Sequence, residues 1–209
     1  MGALQDCERV VGPLLGQPVN TLSTLAFVVA GGLVLRRSSL PWLGYALMAT
    51  GLGSLLFHGP MPPFADWAHD VTLAWLLLVV AGSGRPWERW TRLRGLVALG
   101  ALIAIWPQVG DPVTVALAIL ALSLLLFDDR SGDTMGPMLL LAAVAIFGRL
   151  GATGGPLCDP DSILQPHALW HIGAATAVTW WALRRHPRPA PFRSGPDRIR
   201  SGGDAIDEM

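Results

Sequence analysis

Charge is what this chain has least of. Only 14% of its 209 residues are charged, and lysine is missing altogether, so that all 15 basic residues are arginines. Ordinary soluble domains are about one-quarter charged. With 52% hydrophobic residues and a mean hydropathy of +0.47, the sequence excludes that class and points to a single-domain polytopic membrane protein. The 15 acidic residues balance the arginines, which gives no footing for a nucleic-acid partner. The lack of lysine beside abundant Ala, Gly and Leu reads as a compositional bias, not a phosphate-binding device. There are only two cysteines and no internal repeat. Residues 1–18 lack the basic start and continuous apolar core of a signal peptide, so the first span is expected to drive insertion.

Seven apolar stretches are present, at 19–35, 42–58, 66–81, 93–106, 113–127, 135–150 and 166–183. They predict an all-α bundle of seven transmembrane helices, with proline and glycine punctuating the joints, Pro112 and Pro137 among them. Residues 1–18 form an extracytoplasmic arm, 19–184 the bundle, and 185–209 a disordered basic tail. With seven spans the loops alternate sides, leaving Arg9 and Arg149 on one face and every other arginine on the opposite one. The positive-inside rule then sets the N-terminus outside and the C-terminus in the cytoplasm, in a multi-pass protein of a bacterial plasma membrane.

Ionisable residues inside these stretches demand an explanation, because hydrocarbon offers them no water. The alternating topology brings Ser54, His58, His69, Asp70, His167 and His171 to a similar depth near the outer face. Ser54 and His58 are one helical turn apart, as are His167 and His171, about 6 Å along one face. Two histidines on one helix and a third from another make a metal site. Three neutral imidazoles suit Zn2+ and leave a fourth position for water, the arrangement of catalytic zinc. Asp70 is available to take a proton from such a water, and Ser54 to steady an oxyanion. Alone, Ser54 could instead bond the carbonyl one turn back. His69 points about 100° away from Asp70 and reads as a neighbour of the site or an interfacial residue, and His186, at the tail junction, as solvated.

Taken together, Cys7 and Glu8, the run Asn20, Thr21, Leu22 and Ser23, then Ser54 with His58, Asp70, Cys158, and His167 with His171 resemble the alkaline ceramidases. More broadly they are similar to the superfamily joining those enzymes to the progestin and adiponectin receptor-like proteins. The resemblance implies a seven-helix zinc hydrolase that cleaves the amide of ceramide to a sphingoid base and a fatty acid. His58, His167 and His171 would bind zinc, Asp70 would be the general acid/base and Ser54 would stabilise the substrate or oxyanion. The family spacing falls close to both His69 and Asp70, and the chemistry prefers the carboxylate.

The resemblance also implies a calcium site around the Cys-Glu motif, for which Asp6 and Glu8 remain while Gln17 stands where a glutamate is expected. Calcium favours several carboxylate oxygens, so Gln17 argues against Ca2+. Cys7 and Cys158 both fall on the outer side, where a disulfide between them is expected and two free thiols are the alternative. The reading is a membrane amidohydrolase acting on ceramide or a related N-acyl lipid drawn from the bilayer. The alternatives are a receptor-like or membrane-modulating protein with a structural zinc, and a haem or proton-handling protein using paired histidines.

Overall fold

A computed structural model describes residues 6–189. Among them the elements are helices α1 (Pro18–Ser23), α2 (Leu25–Arg37), α3 (Pro41–His58), α4 (Ala65–Gly82), α5 (Glu88–Thr91), α6 (Leu93–Ile105), α7 (Gly110–Asp128), α8 (Gly132–Leu150) and α9 (Pro166–Arg185), with a single 3-10 turn at Pro107–Val109. No strand occurs among the described residues. A lone antiparallel bridge joins Ser38 to Pro187. The fold is all-helical, as the seven apolar stretches imply.

Among the described residues four rods are long and apolar enough to cross a membrane: Pro18–Arg37, Ala65–Gly82, Pro107–Asp128 and Gly132–Leu150. α3 and α9 are as long, at 18 and 20 residues, but their polar residues, Ser54 and His58 in one and His167 and His171 in the other, lower their hydropathy. α6 has only 13 residues.

The distribution of polarity is inside-out relative to a soluble protein. Gln17, Asn20, His58 and Gln165 are shielded from solvent, whereas Val29, Ile119, Phe127, Leu139 and Ile146 lie exposed on the outer faces. Water would penalise such a surface and lipid would not.

Proline opens three of the helices. Pro18, Pro41 and Pro166 sit at helix starts, where the missing N–H has no partner to lose. Pro112 and Pro137 lie inside α7 and α8 near their beginnings, in keeping with prolines at the ends of the apolar stretches. The first apolar stretch is divided at Thr24. Hydroxyls of Thr21, Ser23 and Thr24 donate to the carbonyls of Gln17, Asn20 and Thr21, competing with the helical ladder.

The core is built where small residues let helices approach. A Cβ on Gly31 of α2 would stand 2.6 Å from the Gly44 carbonyl of α3, and one on Gly44 would stand 2.9 Å from the Gly31 carbonyl. Such contact between backbones supplies packing where lipid offers no hydrophobic drive. α4 and α9 form the interior, with Ala74, Ala81, Ala177 and Ala182 fully buried.

One end of the bundle is closed by the arm at residues 6–17. Cys7 and Cys158 form a disulfide with a Cα–Cα separation of 5.5 Å, which fulfils the expected pairing. Arg9 donates its backbone N–H to the Pro160 carbonyl and pairs with Asp161. Gly16 and Gln17 donate to the carbonyls of Gly59 and His58. Cys7 has φ 65°, in the left-handed region that L-residues rarely enter. Its N–H is held by Thr153 Oγ1 at 3.0 Å.

At the other end, the Asp129 carboxylate accepts from Ser131 N–H and from the hydroxyls of Ser131 and Thr134. These bonds, with Arg185 beside it, hold its carboxyl at about 2. The tail expected over 185–209 begins as ordered chain. Ser39 donates to the His186 carbonyl and Arg188 to that of Arg37. His186, expected to be solvated, is half-buried with its ring 5.2 Å from Trp181. Burial pushes its imidazole below the usual value. The rest of the expected tail, from residue 190, lies outside the described residues.

Candidate metal centre

The last residue of α3 and the first turns of α9 meet beneath the arm. His58, His167 and His171 offer nitrogen atoms that all lie within 4.8 Å of one another. Their ring centroids stand 4.5 to 5.2 Å apart. His58 and His171 are 0% and 2% exposed, figures that matter because an imidazole so enclosed must find its partners within the protein.

Those partners decide the tautomers. His58 Nδ1 lies 2.7 Å from Gln17 Oε1. That oxygen is an acceptor only, and it also receives the Asn20 side-chain amide at 3.3 Å. Gln17 is fixed in this sense because its Nε2 donates to the Glu8 carbonyl. His58 Nδ1 must therefore carry the proton.

Ser23 Oγ lies 2.8 Å from His171 Nδ1 and 2.7 Å from the Asn20 carbonyl. Its one proton goes to that carbonyl, so the hydroxyl accepts from His171 Nδ1–H. His167 Nδ1 faces Asp6 Oδ1 at 3.2 Å, and a carboxylate there also calls for a proton on Nδ1. All three rings are thus held by Nδ1–H with Nε2 left as a lone pair, the arrangement that orients metal-binding histidines.

Two of those lone-pair atoms, His58 Nε2 and His167 Nε2, are buried and meet no hydrogen-bond partner. Each such orphan costs about 1–3 kcal/mol. A cation shared by the Nε2 atoms satisfies them, and three neutral imidazoles are a donor set that fits zinc. The residues present therefore fit the metal that the sequence implies. Removing an outer partner while sparing the ligands should cost roughly 10- to 100-fold in zinc affinity. Ser23→Ala and Gln17→Leu are expected to show that loss in competition with a chromogenic chelator, and unchanged affinity in both would refute this account of the outer partners.

Ser54, one turn before His58, is 2% exposed. Thr50 and Thr72 donate their hydroxyls to carbonyls one turn back. Ser54 has no such bond among the described residues, so its hydroxyl stays uncommitted. Asp70 is not brought among the three imidazoles. One of its oxygens lies 3.1 Å from His69 Nδ1, and the other packs on Gly110 at the start of α7, where a Cβ would collide with it. His69 is the residue of the pair with a ring contact to the cluster. Its ring stacks on Phe57 at 4.5 Å and lies 6.5 Å from the His58 ring.

Asp6 and Glu8 take separate roles. Glu8 accepts with both oxygens from the N–H groups of Val19 and Asn20 at the start of α1, where a carboxylate is favoured. Asp6 faces His167, and burial pushes its carboxyl up to about 6, with His69 opposing. The described residues do not assemble from these two the oxygen-rich cage that calcium needs.

An apolar cavity of about 320 Å³ lies between α4, α7, α8 and α9. Leu77, Ala118, Met138 and Trp170 are among its lining residues, as is Phe27, whose ring meets His171 edge-on at 5.8 Å. The apolar space therefore abuts the histidine cluster across one aromatic ring. Comparison with known proteins finds no matching family model, no similar curated protein and no similar solved structure.

Proposed function

We propose that the chain is a multi-pass membrane zinc hydrolase that cleaves the amide of an N-acyl lipid, with ceramide as the member suggested by the resemblance to alkaline ceramidases. One observation carries the reading: three histidines, two of them buried and each fixed through Nδ1–H, bring their ring nitrogens within 4.8 Å of one another beside an apolar cavity. A structural site of three imidazoles would need a fourth protein ligand to close, and none from His, Cys, Asp or Glu joins the group among the described residues.

The reading extends to seven crossings: the four apolar rods together with α3, α6 and α9. The arm is then outside and the C-terminus in the cytoplasm of a bacterial plasma membrane. The cluster sits in the outer leaflet, near the depth at which a lipid amide meets its headgroup.

Bound zinc supplies a Lewis acid that polarises a carbonyl and lowers the pKa of water. The protein supplies the rest. The cavity takes the acyl chain and excludes water from it. Ser54 donates its free hydroxyl to the oxygen that gains charge as water adds to the amide carbon. Asp70 accepts from His69 Nδ1–H and fixes that ring, so the pair can take the proton of the attacking water and return it to the departing amine. The products are a fatty acid and a free amine, and one water is consumed.

A second reading has one observation in its favour: Asp70 lies against His69 and Gly110, not among the imidazoles. It is a lipid-sensing or membrane-modulating protein that keeps zinc for structure. Zinc content of the detergent-purified protein, followed by fatty-acid release from a panel of N-acyl lipids, separates the two. Near-stoichiometric zinc with turnover is expected. Zinc without release from any substrate would sink the hydrolase reading in favour of the second, and a protein that takes up no zinc would sink both.

A further inference from the structure

Arg149 and Arg9 are the two arginines that the seven-crossing arrangement leaves on the outer side, and the fold treats them differently. Arg9 is paired with Asp161 at 2.7 Å. The guanidinium of Arg149, in the last turn of α8, makes no ion pair or hydrogen bond with the described residues.

Arg149 instead lines a cleft of about 230 Å³ together with Asp6, His167, Gly148 and Trp170. Small residues set it there. A Cβ on Gly148 would stand 3.1 Å from Trp170 Cβ, and one on Gly151, two residues beyond Arg149, would collide with the Pro166 ring. The glycines flanking Arg149 thus press the end of α8 onto the start of α9, which carries His167.

Two further relations give the cleft a chemical meaning. It shares Ala145 and Trp170 with the apolar cavity, so one amphiphile can lie across both, its chain in the cavity and its polar end in the cleft. His167, one of the three clustered histidines, also lines the cleft. The carboxylate also present there, Asp6, is already engaged by His167 at 3.2 Å. The guanidinium is left as the uncommitted charge, and its planar fork favours carboxylate or phosphate oxygens.

Resting on the hydrolase reading above, we propose that Arg149 binds an anionic group carried by the substrate on the amine side of the amide. The preferred substrates are then N-acyl amines bearing a carboxylate or phosphate, such as N-acyl amino acids, in preference to neutral N-acyl lipids. Arg149 is a specificity residue and takes no part in bond breaking.

The test uses the full-length zinc-loaded protein in detergent with three palmitoyl amides: N-palmitoylglycine, N-palmitoyl phosphoethanolamine and neutral N-palmitoylethanolamine. Wild type is expected to favour the anionic pair by about tenfold or more in kcat/KM. Whichever of the two is preferred identifies carboxylate or phosphate as the partner. Arg149→Gln should lose roughly 10- to 100-fold on the anionic substrates, mainly through KM. It should leave the neutral amide and the zinc content unchanged, and Arg149→Lys should recover part of the loss.

Equal wild-type rates on all three, or a loss in Arg149→Gln shared by the neutral amide, overturns the inference while leaving hydrolysis standing. If none is hydrolysed and the wider panel of N-acyl lipids, ceramide included, also releases no fatty acid, the hydrolase reading fails. Equilibrium binding of the same compounds then decides the anion site: tighter binding of the anionic pair that depends on Arg149 supports it, and equal binding refutes it.

Discussion

Replacing His171 by alanine is expected to lower zinc affinity by more than about a hundredfold and to abolish measurable amide hydrolysis. Loss of an outer partner alone costs about 10- to 100-fold, and this change removes a ligand. The accompanying stability effect has a distinctive sign. In the wild type, metal removal leaves His58 Nε2 and His167 Nε2 buried without partners, so a chelator should lower the melting temperature of the purified protein. In His171→Ala the site no longer retains the ion at working concentrations, so the same chelator should change nothing. Elemental analysis and thermal melts with and without chelator measure both effects. A His171→Ala protein that keeps a full zinc complement would show that the cluster is not the site.

Asp70→Asn should separate catalysis from metal binding. The neutral amide it introduces fits the same space against Gly110 and His69, but it cannot hold the charge that stabilises a protonated His69. A lost general acid/base partner typically lowers the rate by about 10²- to 10⁴-fold. We expect kcat to fall by that order while zinc content and melting temperature stay near wild type. His69→Gln should fall by a similar factor. The double variant should be little worse than either single one, because the two residues act as a unit. Full activity in Asp70→Asn would remove the proton-transfer role and strengthen the sensor reading.

Much of the centre is legible in the sequence because helical spacing is rigid. His167 and His171, four residues apart on one helix, share a face in any fold that keeps the helix intact. Their meeting is legible too, since the expected alternation of spans puts the end of α3 and the start of α9 at one end, where the structure brings His58, His167 and His171 together. The partners of the imidazoles are not. Gln17 reads in the sequence as a missing calcium ligand. It is instead the acceptor that fixes His58, which only the return of the arm beneath α3 reveals. Ser23 belongs to a recognisable run, yet its role follows from the break at Thr24, where hydroxyls compete with the helix ladder and turn Ser23 toward His171. The direction of Asp70 is also hidden. A helix places neighbouring residues on different faces, and whether His69 or Asp70 turns to the cluster depends on which side α7 packs.

The cystine between Cys7 and Cys158 spans 151 positions of sequence, and it pins together the two segments that frame the histidine cluster. The arm it anchors carries Asp6, and beyond that Gln17, while the loop it anchors leads into α9 with two of the three histidines. Until the sulfurs join, the segment supporting His58 and His167 is tied to the bundle by hydrogen bonds and surface pairs alone. A chain whose two sulfurs are unjoined therefore holds the partners of these two imidazoles less firmly than one in which the bond is closed.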